Sequence, residues 1–210
     1  MKKVYLHPLT VRIWHWINAV SFVVLIITGL QLRYREVMGI MKFRDAVDLH
    51  NLVGFVLIFN FLLWFVFYLF SGRIKVYIPP LNLKKFIVGC ITQARYYGYG
   101  IFIGEANPHH STADNKFNPI QQMAYLVIML VLMPLQLVSG LLLWDTKTFG
   151  TWISLAGGIK VVDTVHVLIF LGLTSFIFIH LYLVTLGETP VTHIKAMFTG
   201  YEELKEERGH

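Results

Sequence analysis

The sequence predicts an all-α integral membrane protein, a bundle of four transmembrane helices, and three observations carry that prediction. Four stretches lack any Asp, Glu, Lys or Arg: Ile13–Leu32, Leu49–Gly72, Phe117–Trp144 and Thr164–Gly187. Charged residues make up only 14% of the chain and hydrophobic ones 56%, outside the mix of a soluble globular domain. The basic residues sit beside the ends of the four stretches, where lipid headgroups and topology account for them. The net charge of +6 therefore speaks for a membrane surface and against nucleic acid.

Roughly 20 helical residues cover a hydrocarbon core of about 30 Å, and each stretch is long enough. The spans are placed at about 10–33, 48–72, 117–144 and 163–187, in a single membrane-embedded domain over 1–210 with a tail from 188. No small-residue cleavage site follows the first span; Arg33-Tyr34-Arg35 closes it, so it reads as a span and not a signal peptide. Four spans put both termini on one side. With the termini inside, twelve Lys and Arg fall on the inner segments and six on the outer loops, which favours cytoplasmic termini.

The second loop, Arg73–Lys116, is too long to be a mere connection. Pro79-Pro80 opens it, and Leu83 to Tyr97 suits a basic amphipathic helix lying at the membrane interface. Glu105–Asn115 is polar and turn-rich, and the charged tail from Tyr201 is expected to fray.

Histidines carry the functional signal. His15, His50, His166 and His180 lie inside or at the lip of spans, where an ionisable group is costly and marks function. His166 and His180 are fourteen residues apart, within 40° of the same helical direction and about 21 Å apart along the axis. One therefore sits near each membrane surface. His15 begins the first helix at the inner level and His50 the second at the outer level, so the depth-matched pairs are His15/His180 and His50/His166. Two imidazole pairs at two depths suit two bis-histidine haems, which leave no open position for oxygen and favour electron transfer. Zinc would want ligands converging on one point, and a proton relay would want carboxylates that the spans lack. The single cysteine, Cys90, excludes a Cys-x-x-Cys-His haem attachment and a four-cysteine cluster, so any cofactor is held non-covalently.

Small and basic residues extend this reading. Gly29 falls fourteen after His15, on the same face at the outer level, where a porphyrin edge needs room; Gly54, four after His50, is similarly placed. Arg12 and Arg73 inside, and Arg33 and Arg35 outside, are candidate partners for haem propionates. His7, His109, His110, His193 and His210 lie outside the spans and read as solvated or interfacial.

Arg12-Ile-Trp-His15-Trp16, His50-Asn-Leu-Val-Gly54, Phe117-Asn118-Pro-Ile-Gln121, His166, His180-Leu-Tyr182 and the ending from His193 to Glu202 resemble the bacterial di-haem cytochrome b-561 family. Its members are membrane subunits of respiratory formate dehydrogenases, nickel–iron hydrogenases and thiosulfate reductases. The resemblance implies that His15, His50, His166 and His180 are the axial ligands of two b-type haems. It implies a quinone pocket (menaquinone or ubiquinone) by the inner haem with Asn118 and Gln121 beside it. It also implies an outer-face iron–sulfur or multihaem cytochrome subunit with its catalytic subunit, in the bacterial inner membrane. The long second loop looks more like the hydrogenase and thiosulfate-reductase branch. Two other readings stand beside it: a stand-alone oxidoreductase passing electrons from a small molecule such as superoxide to quinone, and a haem-free anchor or transporter.

Overall fold

A computed structural model describes residues 2–78, 80, 82–109, 117–186 and 189–204. Four helices are long and apolar enough to cross a membrane: α1 (Leu9–Arg33), α3 (Phe43–Phe70), the third span (Pro119–Trp144) and α8 (Ile159–Val184). At 25 to 28 residues each they exceed the hydrocarbon thickness. A short α2 (Arg35–Met38) follows the first, and α7 (Gly150–Leu155) precedes the last. Between the second and third spans lie a 3-10 turn (Arg73–Tyr77), α4 (Leu83–Gly98) and a second 3-10 turn (Gly100–Ile103). After α8 come α9 (Thr192–Thr199) and a strand.

Polarity along the spans is inverted relative to a soluble helix. The buried residues of α1 are Ser21, Thr28 and Gln31, whereas Ile13, Val20, Val23 and Ile27 face outward. On α3 the buried Asn60 contrasts with exposed Leu52, Phe59, Leu62 and Leu63. Lipid solvates the apolar faces, and polar groups turn inward to hydrogen-bond one another.

The chain divides into two compact units, residues 1–64 with 136–210, and residues 65–135. In the first, Asn60 Nδ2 donates to Trp14 O at 3.2 Å, and the Trp14 and Trp64 rings stack at 5.8 Å. Phe55 meets Trp144 edge-on at 4.9 Å, and Arg33 pairs with Asp163 at 3.6 Å. α9 docks on the start of α1: Trp16 Nε1 donates to Met197 O at 3.2 Å, the Trp16 ring stacks on Phe198, and Arg12 donates to Phe198 O. An arginine on the last carbonyls of a helix also complements its dipole.

The charged tail is more ordered than its composition suggests. Strand β1 (Lys2–Tyr5) pairs antiparallel with β2 (Tyr201–Leu204), Lys2 opposite Leu204 and Tyr5 opposite Tyr201. This corrects the expectation of a frayed end over Tyr201–Leu204; 205–210 lie outside the described residues. Gly200, at φ +88°, turns the chain from α9 into β2, and its carbonyl accepts from Leu6 and His7 N–H. A Cβ there would meet the Tyr5 ring at 2.7 Å, so both the conformation and the space require glycine.

In the second unit, Tyr77 packs on Tyr68, Phe117 and Tyr125 at 5.5 to 6.3 Å. Arg95 grips Glu105 through two hydrogen bonds of 2.7 and 3.0 Å, tying α4 to the segment beyond it. Pro119 starts the third span as α5 (Pro119–Val127). A π-turn follows at Ile128–Leu132, where Met133 N–H reaches back to Ile128 O, and then α6 (Met133–Trp144). Pro134, with no N–H to donate, sits just after that turn.

Helix ends differ from the charge-free limits. α3 begins at Phe43 and not near 48, because Asp45 suits a helix's first turn. α8 begins at Ile159, after Gly157 and Gly158 turn the chain at φ near +97°. The expected loop helix is present as α4. Pro79, His110, Lys116, Gly187 and His210 lie outside the described residues, as does most of the polar stretch up to Asn115.

Candidate functional site

The four span histidines all belong to the first unit. The His15 and His180 rings face each other with centroids 6.3 Å apart. His50 on α3 and His166 on α8 belong to the same unit. Metal–nitrogen bonds of about 2.0 Å on each side, with about 1.1 Å from nitrogen to ring centre, put two imidazoles about 6.2 Å apart across one metal ion. The inner spacing fits that demand.

Each pair is steadied differently. Phe176, one turn before His180, stacks on its ring at 5.7 Å, and Trp16 meets His15 edge-on at 5.3 Å. Among the described residues His15 Nδ1 is buried without a hydrogen-bond partner. At the outer pair, Thr28 Oγ1 lies 2.8 Å from His50 Nδ1, and Ser139 Oγ lies 2.9 Å from His166 Nδ1. Gln136 Nε2 lies 3.2 Å from His166 Nε2, and the Gln136 Oε1 is buried without a partner among the described residues.

Two glycines leave room for the outer imidazoles. A Cβ on Gly29 would stand 3.5 Å from His50 Cε1, and one on Gly140 would stand 3.2 Å from His166 Cε1. Gly29 was read from its face on the helix, and its neighbour here is the His50 ring. Gly54 has open space where a side chain would be. Thr28, Ser139, Gln136 and Gly140 escaped the sequence reading. Their signal was small polar residues beside glycine inside otherwise apolar spans, at 28–29 and 139–140.

An open apolar groove of about 460 Å³ runs along α1 from Trp16 through Val20 to Val24, beside Val53 and Val56 of α3, and none of the four histidines lines it. Among the described residues no group of three or more His, Cys, Asp or Glu converges on one point. The facing rings, the hydroxyl-held Nδ1 atoms and the glycine clearances suit a porphyrin.

The other predicted residues are engaged elsewhere. Arg12 caps α9, Arg33 pairs with Asp163, and Arg35 lies over the Phe43 ring at 5.3 Å; the Arg73 side chain is outside the described residues. In the second unit Asn118 is buried and forms a capping box. Its Oδ1 accepts from Gln121 N–H at 2.9 Å, while Gln121 Oε1 accepts from Asn118 N–H at 3.1 Å. Asn118 Nδ2 also donates to the Tyr97 hydroxyl at 2.9 Å. Burial pushes the Tyr97 hydroxyl above the ordinary tyrosine range, against the opposing effect of hydrogen bonds with Gln93 and Asn118, so it stays protonated at neutral pH.

A family model described as prokaryotic cytochrome b561 matches residues 6–200. Similar proteins include a putative cytochrome YdhU of Escherichia coli K12, 34% identical over 95% of this chain and 75% of that one. A putative protein-methionine-sulfoxide reductase subunit YedZ1 of Azospira oryzae is 27% identical over 95% and 99%. A probable Ni/Fe-hydrogenase B-type cytochrome subunit of Azotobacter vinelandii is 26% identical over 98% and 90%. No solved structure matches. With four apolar spans and a match over nearly its whole length, the chain belongs to the prokaryotic cytochrome b561 family, as a multi-pass membrane cytochrome of b type that transfers electrons.

Proposed function

We propose that the chain is the di-haem membrane subunit of a respiratory complex. It carries electrons between a redox partner at the outer face and the quinone pool at the inner face of the bacterial cytoplasmic membrane. The observation that carries this reading is the 6.3 Å between the His15 and His180 rings, with His50 and His166 in the same unit as the proposed second pair. His15, His50, His166 and His180 are the axial ligands. Haem held by these four residues would supply reversible one-electron exchange.

The names of the relatives, cytochrome subunits of a hydrogenase and a subunit of a sulfoxide reductase, support a catalytic partner complex. An outer-face iron–sulfur or multihaem subunit fits that role. The β1–β2 pairing holds both ends of the chain side by side and supports termini on one side, the cytoplasmic one by the charge bias. α4, with Lys84 and Lys85 in its first turn, suits the headgroup layer. Purification from the native membrane in mild detergent, with mass spectrometry of the copurifying chains, tests the assembly. Recovery with a redox subunit supports it, and stable isolation with no other subunit favours the stand-alone oxidoreductase.

Asn118 and Gln121 are the proposed quinone contacts at the start of the third span, where the two protons taken up on reduction can come from the cytoplasm. Their capping geometry defines the test. In Asn118→Ala, loss of the cap costs about 1 kcal/mol of stability. The proposal requires weakened inhibitor binding and slowed quinone turnover as well, in protein that keeps its full haem spectrum. A lowered melting temperature with unchanged quinone kinetics leaves Asn118 as a cap alone.

A further inference from the structure

Two separate spans carry the same local device: a hydroxyl residue followed by glycine, Thr28-Gly29 on α1 and Ser139-Gly140 on α6, each closed on one histidine of the outer pair. The hydroxyl protons are already committed. Thr28 Oγ1 donates to Val24 O at 2.8 Å, and Ser139 Oγ donates to Gln136 O at 3.1 Å. A hydroxyl has one proton, so towards the ring nitrogens both oxygens act as acceptors. With the hydroxyl protons on those carbonyls, His50 and His166 carry their protons on Nδ1 and donate, at 2.8 and 2.9 Å. Both Nε2 atoms are left as bare lone pairs. The Gln136 amide, 3.2 Å from His166 Nε2, donates to that lone pair here and would have to give it up to a bound iron.

We propose that Thr28 and Ser139 are positioning residues that fix the tautomer and orientation of His50 and His166, so that both Nε2 atoms present themselves to one iron. By accepting the Nδ1 protons they also make the two imidazoles more basic. A more basic ligand favours the ferric state and lowers the reduction potential of this site. The His15/His180 pair is held by aromatic contacts instead, with His15 Nδ1 unpartnered among the described residues. Thr28 and Ser139 thus separate the potentials of two otherwise alike sites. This rests on the proposed role of the four histidines as haem ligands.

The test is a potentiometric titration of haem-loaded full-length protein, with the outer haem identified by the signal missing from His166→Ala. In Thr28→Val and Ser139→Ala the ferrous-to-ferric ratio of the outer haem at a fixed potential should rise about tenfold, a one-electron shift of about 59 mV, and the other haem should not move. Thr28→Ser and Ser139→Thr, which keep the hydroxyl, should behave as the parent. Selective loss of the outer haem in the Val and Ala variants but not in the Ser and Thr variants supports the same conclusion, since a second-shell partner is worth about 10- to 100-fold in metal affinity. Full haem content with both potentials unmoved overturns it, as does haem loss from all four variants alike. If His50→Ala retains both haems, the ligand assignment fails instead, and the two failures are told apart.

Discussion

Replacing His180 with alanine is expected to remove one b haem together with the quinone reaction, and replacing His166 to remove the other haem while quinone binding persists. The two residues share α8 but sit fourteen positions, about 21 Å, apart along it. His180 lies 6.3 Å from His15 of α1, whereas His166 is hydrogen-bonded to Ser139 of α6. Each substitution deletes one of two axial ligands from one site and leaves the other site's partners in place. Haem content should fall to about half in both variants, with different bands missing from the low-temperature spectra. His15→Ala should reproduce His180→Ala, and His50→Ala should reproduce His166→Ala. If the His166 and His180 variants lost the same haem, the pairing would be wrong.

Gly140→Val should empty the outer site in otherwise folded protein, and Gly29→Ala should not. A Cβ on Gly140 would already press His166 Cε1 at 3.2 Å, closer than side chains ordinarily approach, and valine adds two methyl groups that a helix holds stiffly. The ring cannot yield without lengthening its 2.9 Å bond to Ser139. On Gly29 the same atom would stand 3.5 Å from His50 Cε1, an ordinary contact. Haem stoichiometry and the melting temperature of the two variants decide the matter. Full haem content in Gly140→Val would show that the glycine is only a packing convenience.

The four spans were legible because lipid forbids charge over about 20 residues, and a run without charges is visible at a glance. Their ends were not: Asp45 and Lys160 lie inside helices, since a charge at a helix end meets water or headgroups and stops nothing. Depth and helical phase suggested which histidines pair, because both follow from residue spacing alone, and the 6.3 Å between the His15 and His180 rings agrees with one of the two pairs. The residues around the histidines were hidden. Thr28 and Ser139 differ from any hydroxyl in an apolar helix only by what stands across from them, and that depends on how α1, α3, α6 and α8 pack. Arg12 lay close to the predicted inner haem, yet a helix 186 residues further on supplies its partner. The β1–β2 pairing ties Tyr201–Leu204, whose charge alone suggested a frayed tail, to Lys2–Tyr5, and Gly200 is a local signal of it.

The central claim is that this one chain holds two haems, each between two histidines from different helices. A pyridine haemochrome assay on purified, quantified protein tests it most directly. The account predicts about two non-covalent b haems per polypeptide, extractable by acid acetone, and low-spin in both oxidation states. One haem per polypeptide, or a haem that stays with the chain on extraction, would contradict it.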